Sequence, residues 1–228
     1  MRYRFSVSAP VTWLMLAVGA YLLGSVPFGL LIGLARGTDI RDHGSRNIGA
    51  TNAGRVLGRK WGLLCFGLDF LKGVVPVLGA GWWMGTLGAR DLAPADAWSW
   101  LGVGAAAVVG HVFPVYLKFK GGKGVATGFG VVLATYTGAT FAALIALAVW
   151  VVLVKVTRMV SVGSCAAACS LPISVAALRF AGWPIAGDSW EGVTPYLIVT
   201  TLLAVLVVWK HRANLARVRA GTEAKTAR

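Results

Sequence analysis

Residues Gly44 to Asn52 read GSRNIGATN, a stretch with no aliphatic side chain larger than Ile48 inside a chain that is 57% hydrophobic. Glycines, small hydroxyls and amides at this density suit one chemical task, the convergence of backbone N–H groups on an anion. Ser45, Asn47, Gly49, Ala50, Thr51 and Asn52 are the candidate contacts, and Arg41, Arg46 and Arg55 frame them. The expected ligand is a phosphate. Ser45 and Asn47 also suit the cap of a helix that begins in the loop, and Gly49 to Asn52 suit a plain turn. Taken together with Arg55, an anion cradle is the stronger reading.

A second polar island, Lys118 to Gly124, reads KFKGGKG. It lacks the glycine and Lys-Ser/Thr spacing of a P-loop, and no strand precedes it. Related physics applies, because Gly121, Gly122 and Gly124 let backbone approach an anion and a lysine supplies a mobile point charge. A helix expected from about Val125 turns its positive end toward the same place. Lys118 and Lys120 fit a lipid-facing surface loop equally well, whereas Lys123, between two glycines at the helix start, fits that poorly. A third island opens the tail, KHRANLARVRAGTE. His211 and Asn214 are three apart and share a face of a short helix that Gly221 stops. His211 suits a general base or a phosphate donor, and a plain interfacial residue as well.

What must position these islands is a membrane fold. The mean hydropathy is +0.72, and runs near 20 residues recur, each able to cross a core of ~30 Å. No polar stretch is long enough for a soluble domain, so residues 1–228 read as one membrane-embedded unit. The formal charge of +14 sits in short loops, the pattern that orients membrane proteins rather than the footprint of a nucleic-acid binder. Expected spans are about Val11 to Ala35, Trp61 to Leu87, Ala97 to Leu117, Ser161 to Ala181 and Val193 to Trp209. The first is too long for a signal-peptide core and is read as retained. Val125 to Val154 carries no charge and is long for one crossing. Two crossings, with a hairpin near Tyr136 to Gly138, put all basic islands on one side, where 17 of the 22 Lys and Arg then lie. The expected fold is all-α and integral to the membrane. It has about seven transmembrane helices, with the N-terminus outside and the C-terminus cytoplasmic.

Within the spans, Asp69 and Lys72 are three apart and can pair as support beneath the site. Cys65, Cys165 and Cys169 lie in hydrophobic runs with no neighbouring metal-ligand set and read as small buried residues. Neither a metal nor a cofactor is called for. His43 reads as a solvated loop residue, and His111 as bonded to a neighbouring polar or backbone group.

These motifs resemble the bacterial acyl-phosphate:glycerol-3-phosphate acyltransferase family, called PlsY. The family's GSGN-x-GATN loop with a following arginine matches Gly44 to Asn52 with Arg55. Its Gly-His-x-Phe-Pro stretch leading into KFKGGKG matches Gly110 to Pro114 and Lys118 to Gly124. Its HRxN and Gly-x-Glu match His211, Arg212, Asn214, Gly221 and Glu223, and a serine opening a later span matches Ser161. One departure stands out: the family has glycine where this chain has Arg46, a position that leaves phosphate binding and solvent exposure both open.

The resemblance implies acyl transfer from an acyl phosphate to the 1-hydroxyl of glycerol 3-phosphate, at the cytoplasmic face of a bacterial inner membrane, early in phospholipid synthesis. It implies a working relationship with an enzyme that makes acyl phosphate, and contact with membrane lipids. Ser45, Asn47 and the amides of Gly49 to Thr51 are expected at the donor phosphate or oxyanion. Arg55, Lys123, Ser161, His211 and Asn214 are expected at glycerol phosphate, and Glu223 is expected to fix the tail. The base is left open between His211 and the donor's own phosphate. A small multi-pass anion transporter is the rival class, but its charges belong near the midplane. Soluble-headed acyltransferases carry a His-x4-Asp motif that His43, His111 and His211 all lack.

Overall fold

A computed structural model describes residues 8–89, 92–183 and 189–226. Arg2, Arg4, Arg90, Asp91, Asp188 and Arg228, which entered the charge count above, lie outside the described residues. The helices are α1 (Ala9–Ser25), α2 (Phe28–Ala35), α3 (Ala50–Leu57), α4 (Arg59–Met84), α5 (Pro94–Val112), α6 (Val125–Ala134), α7 (Thr140–Thr157), α8 (Val160–Phe180), α9 (Trp190–Lys210) and α10 (Arg212–Arg219). Among the described residues there is no strand, and six helical segments are long and apolar enough to cross a membrane. The protein is an all-α integral membrane protein.

Where the helices break, local chemistry explains it. The first expected span is interrupted at Val26, which is extended (ψ 119°). Pro27 lacks an N–H and forbids a helical predecessor. The expected loop from Arg36 to Lys60 contains α3 and the start of α4. Gly58, at φ +98°, makes the corner between them. α5 ends at Val112, ahead of Pro114, and only a single 3₁₀ turn (Val115–Leu117) follows. The uncharged run from Val125 splits into α6 and α7, and the break overlaps the expected Tyr136 to Gly138 turn.

Ten residues at 1.5 Å each make α6 about 15 Å long, roughly half a bilayer core. It runs from the polar islands to the loop that follows α4. At its far end the Gly88 N–H donates to Tyr136 O at 3.0 Å, and Phe141 stacks edge-on against Trp183 at 4.8 Å. Its near end meets the polar islands.

Small residues let the helices approach closely, which in lipid replaces hydrophobic drive as the packing force. A methyl on Gly24 would overlap the Ala107 backbone, and one on Gly73 would overlap Thr127. Thr127 Oγ1 donates to Asp69 O at 2.8 Å, and the buried Trp100 indole donates to Val77 O at 2.8 Å. Outward faces carry exposed Leu14, Leu63, Trp82, Val156, Ile173 and Leu202. Cys65 and Cys165 are buried as expected; Cys169 is not, lying exposed on α8.

Candidate active site

The first island is held in shape by a residue expected to bind ligand. Asn52 is buried, accepts from the Ser45 N–H (2.8 Å) and donates to Ile40 O (2.8 Å) and His43 O (3.2 Å). Its amide is thus committed to the loop. Asn47 Oδ1 accepts from the Gly49 N–H at 3.0 Å, an Asx turn leading into α3. Gly49 is the N-cap of α3, so the first helical amides, Ala50 and Thr51, have no partner in the helix's own ladder.

Of the three arginines framing the loop, only Arg55 lines the cavity. Arg41 pairs with Asp39, two residues away, at 2.5 Å, which holds the Asp39 carboxyl at about 2. Arg46 is exposed and takes φ +57°. The left-handed region suits the glycine of the resemblance and costs an ordinary L-residue about 1–2 kcal/mol. Arg46 is not among the residues that line the cavity described below.

In the second island Lys118 (φ +49°) and Phe119 (φ +63°) make a left-handed turn. Gly121 and Gly122 do not line the cavity. They dock onto the end of α5, where the Gly122 N–H donates to His111 O at 3.0 Å and the Gly121 N–H to Val112 O at 3.2 Å. A methyl on Gly122 would collide with the His111 ring. Lys123 is thereby delivered to the cavity, its Nζ donating to Asn214 Oδ1 at 2.5 Å. Burial pushes its ammonium down to about 8, against the upward pull of the Glu223 charge.

The third island closes the ring. His211 caps both α9 and α10 and is buried. Its Nδ1 lies 2.8 Å from Val207 O. A carbonyl only accepts, so Nδ1 carries the proton and Nε2 is the free base of the neutral ring. Burial, reinforced by the Lys123 charge, pushes the imidazole down to about 4. Glu223 Oε1 accepts from Ser161 Oγ and Asn214 Nδ2, both at 2.7 Å, and Oε2 accepts from Arg217 Nε at 2.9 Å. Burial opposes its charge, but those three donors win and hold the carboxyl below its ordinary range.

Beneath the loop, Lys72 Nζ lies 2.8 Å from Asp69 Oδ1 and donates to Val26 O at 2.8 Å, tying α4 to the end of α1. His111 Nδ1, expected to bond to a polar or backbone neighbour, is 3.6 Å from the same carboxylate, too long for a hydrogen bond, and has no other hydrogen-bond partner among the described residues. His43 is exposed.

These elements enclose a cavity of about 130 Å³. Ser45, Asn47, Gly49, Ala50, Thr51, Asn52, Arg55, Asp69, Lys123, Gly124, Ser161, His211, Asn214 and Glu223 all line it; Gly121, Gly122 and Lys72 do not. Phe66, His111, Trp150 and Ser164 line it without having been singled out as site residues. His111 had a signal in its motif; the other three had only hydrophobic context. A second cavity of about 90 Å³, almost wholly apolar, runs along α8 past Ala168 to Leu171 and shares Phe66, Gly124, Val125, Trp150 and Ser164 with the first.

Comparison with known proteins gives a single direction. The family model described as glycerol-3-phosphate acyltransferase matches residues 14–221. A protein of that name from Trichlorobacter lovleyi is 45% identical over 220 residues, covering 96% of this chain and 98% of its own. Two crystal structures of PlsY, described as an integral membrane glycerol 3-phosphate acyltransferase, are similar throughout. One is its glycerol 3-phosphate form (TM-score 0.79) and the other its lysophosphatidic acid form (TM-score 0.77). Each is 38% identical to this chain and covers 95% of it and 96% of its own length.

Proposed function

The chain belongs to the glycerol-3-phosphate acyltransferase family, and on that premise we propose that its acyl donor is an acyl phosphate. The 1-hydroxyl of glycerol 3-phosphate attacks the acyl carbonyl, the bond to phosphate breaks, and lysophosphatidic acid and inorganic phosphate leave. One observation carries this reading: the polar cavity shares five lining residues with the apolar one beside α8. A donor with a phosphate head and a fatty chain fills both, and glycerol phosphate needs only the first.

Phosphate is a good leaving group, so positioning and charge are the protein's main contributions. Ser45, Asn47 and the amides of Ala50 and Thr51 receive the donor phosphate or the oxyanion. Asn52 and Gly49 hold that loop, and Gly121, Gly122 and Gly124 bring Lys123 into place. Arg55 and Lys123 bind the glycerol phosphate anion, with Ser161, Asn214 and His211 orienting its hydroxyl. Glu223 aligns Ser161 and Asn214, while Asp69 and Lys72 support the floor. His211 is too weak a base to be well matched to neutral pH, so the proton passes to the departing phosphate.

We place seven crossings in the membrane by counting α6, which runs from the polar islands to the loop that follows α4. This puts the N-terminus outside and the site at the cytoplasmic face of a bacterial inner membrane. An enzyme that makes acyl phosphate is then the required supplier, delivering a lipid-soluble donor from the same side. Mass spectrometry of a reaction containing glycerol 3-phosphate and palmitoyl phosphate tests the proposal. It should show palmitoyl-lysophosphatidic acid formed mole for mole with phosphate; phosphate without acylated lipid would sink it.

A further inference from the structure

After α10 the chain turns at Gly221 (φ +71°) and runs back past the cavity, with Thr222, Ala224 and Lys225 exposed and Thr226 half-buried. Only Glu223 of that segment, among the described residues, is buried. The segment is fastened beyond Glu223 as well. The Thr226 N–H donates to Arg158 O at 2.8 Å, and Arg158 Nη2 donates to Thr226 O at 2.8 Å. Arg158 ends α7 in the left-handed region (φ +60°), with its N–H on Val154 O at 2.8 Å. That conformation turns the chain into α8, which begins two residues later. Arg55 Nη2 approaches Ala224 O at 3.5 Å from the opposite rim.

The spacing of the fastenings is informative. Arg158 and Ser161 are three residues apart, and so are Glu223 and Thr226. Arg158 holds Thr226, and Ser161 bonds Glu223. The segment therefore runs antiparallel to the α7–α8 corner, with two matched attachments. The Glu223 attachment leads directly into the site. By accepting from Asn214 Nδ2, Glu223 selects one of the two orientations of that amide, the one with Oδ1 toward Lys123 Nζ. Were the amide to flip, its NH₂ would face an ammonium that has no lone pair to offer.

We infer that residues 221–226 form a strap, that Arg158 is a positioning residue clamping it, and that the clamp sets Glu223, Asn214 and Lys123 for glycerol phosphate. The substrate in this inference rests on the functional reading above. Arg158 lies outside the cavity lining, so it acts through the strap rather than on the substrate.

The two Thr226 contacts are both made by its backbone, which gives a selective test in the full-length protein. Thr226→Pro removes the N–H donor, Arg158→Ala removes the guanidinium, and Thr226→Ala removes neither. Thr226→Pro and Arg158→Ala should each raise KM for glycerol 3-phosphate by roughly 3–10-fold with kcat within about twofold, a pattern of lost substrate binding. Thr226→Ala should behave as wild type, and Arg158→Lys should fall between. Hydrogen–deuterium exchange reads the strap without turnover, and amides from Thr222 to Thr226 should exchange faster in Arg158→Ala. An active wild-type enzyme with unchanged KM in both clamp variants overturns the inference alone, as does a Thr226→Ala variant as damaged as Thr226→Pro. A wild type that does not acylate glycerol 3-phosphate overturns the functional reading and the substrate half of the inference. Exchange then decides the clamp: unchanged exchange in Arg158→Ala means that there is none.

Discussion

Lys123 Nζ and Asn214 Oδ1 meet at 2.5 Å across a sequence separation of 91 residues. One side chain arrives on a glycine-rich loop docked to α5, the other on a helix beyond the last span. Neither island is a complete site. The contact joins them, and Arg55 on α3 brings a third chain segment to the same cavity.

Arg55→Ala and Lys123→Ala should each lower kcat/KM for glycerol 3-phosphate by at least ~100-fold, the scale expected for a charge-assisted contact to phosphate. Thermal unfolding should be nearly unchanged for Arg55→Ala, because Arg55 is exposed and its hydrogen bond to Ala224 O is long. Near wild-type rates in either variant would contradict the assignment of Arg55 and Lys123 to the glycerol phosphate anion.

The lowered Lys123 value sets a pH limit. Its charged form binds the phosphate and loses its proton as pH rises through about 8. The profile of kcat/KM, which reports the free enzyme, should therefore fall above that pH. Below roughly pH 6 it should fall again as the substrate phosphate takes its second proton. Lys123→Arg should lose the alkaline fall, even if its overall rate is lower. A flat wild-type profile to pH 10 would rule out this role for Lys123.

His211 sits at about 4 and is neutral at working pH with its proton on Nδ1. His211→Gln should therefore lower kcat by less than ~100-fold, the loss of an orienting contact rather than of a base. A larger fall in kcat at constant KM would assign the base to His211 instead of the substrate phosphate.

The apolar cavity should measure chain length. Ala168 is four residues beyond Ser164 on α8, about 6 Å deeper along the helix. Ala168→Phe should reduce turnover of palmitoyl phosphate by roughly tenfold or more relative to octanoyl phosphate, comparable to a misfit of one or two methylenes. Equal losses for both donors would move the acyl chain elsewhere.

Much of this was readable in the sequence, and the failures have physical causes. The split between α6 and α7 followed from charge parity, because thirty uncharged residues could not otherwise keep the basic islands together. Ser45, Arg55, Lys123, His211 and Asn214 were legible from the makeup of the polar islands, and all five line the cavity. The sequence did not show that Arg41 is taken up by Asp39, or that Asn52 is fully engaged by its own loop. Both depend on local backbone geometry. Gly121 and Gly122 looked like phosphate contacts but pack against His111, since glycine serves close helix packing and anion approach alike. Phe66 and Trp150 were hidden, as apolar residues in apolar helices carry no sign of which face meets a cavity. Arg46 became clearer, because φ +57° explains why glycine suits that position.

The most direct measurement compares donors on one purified preparation. With glycerol 3-phosphate present, palmitoyl phosphate should be converted to lysophosphatidic acid and phosphate, and palmitoyl-CoA should give no transfer. Omission of glycerol 3-phosphate should leave palmitoyl phosphate intact. Efficient transfer from palmitoyl-CoA, or inactivity with palmitoyl phosphate, would contradict the account at its centre.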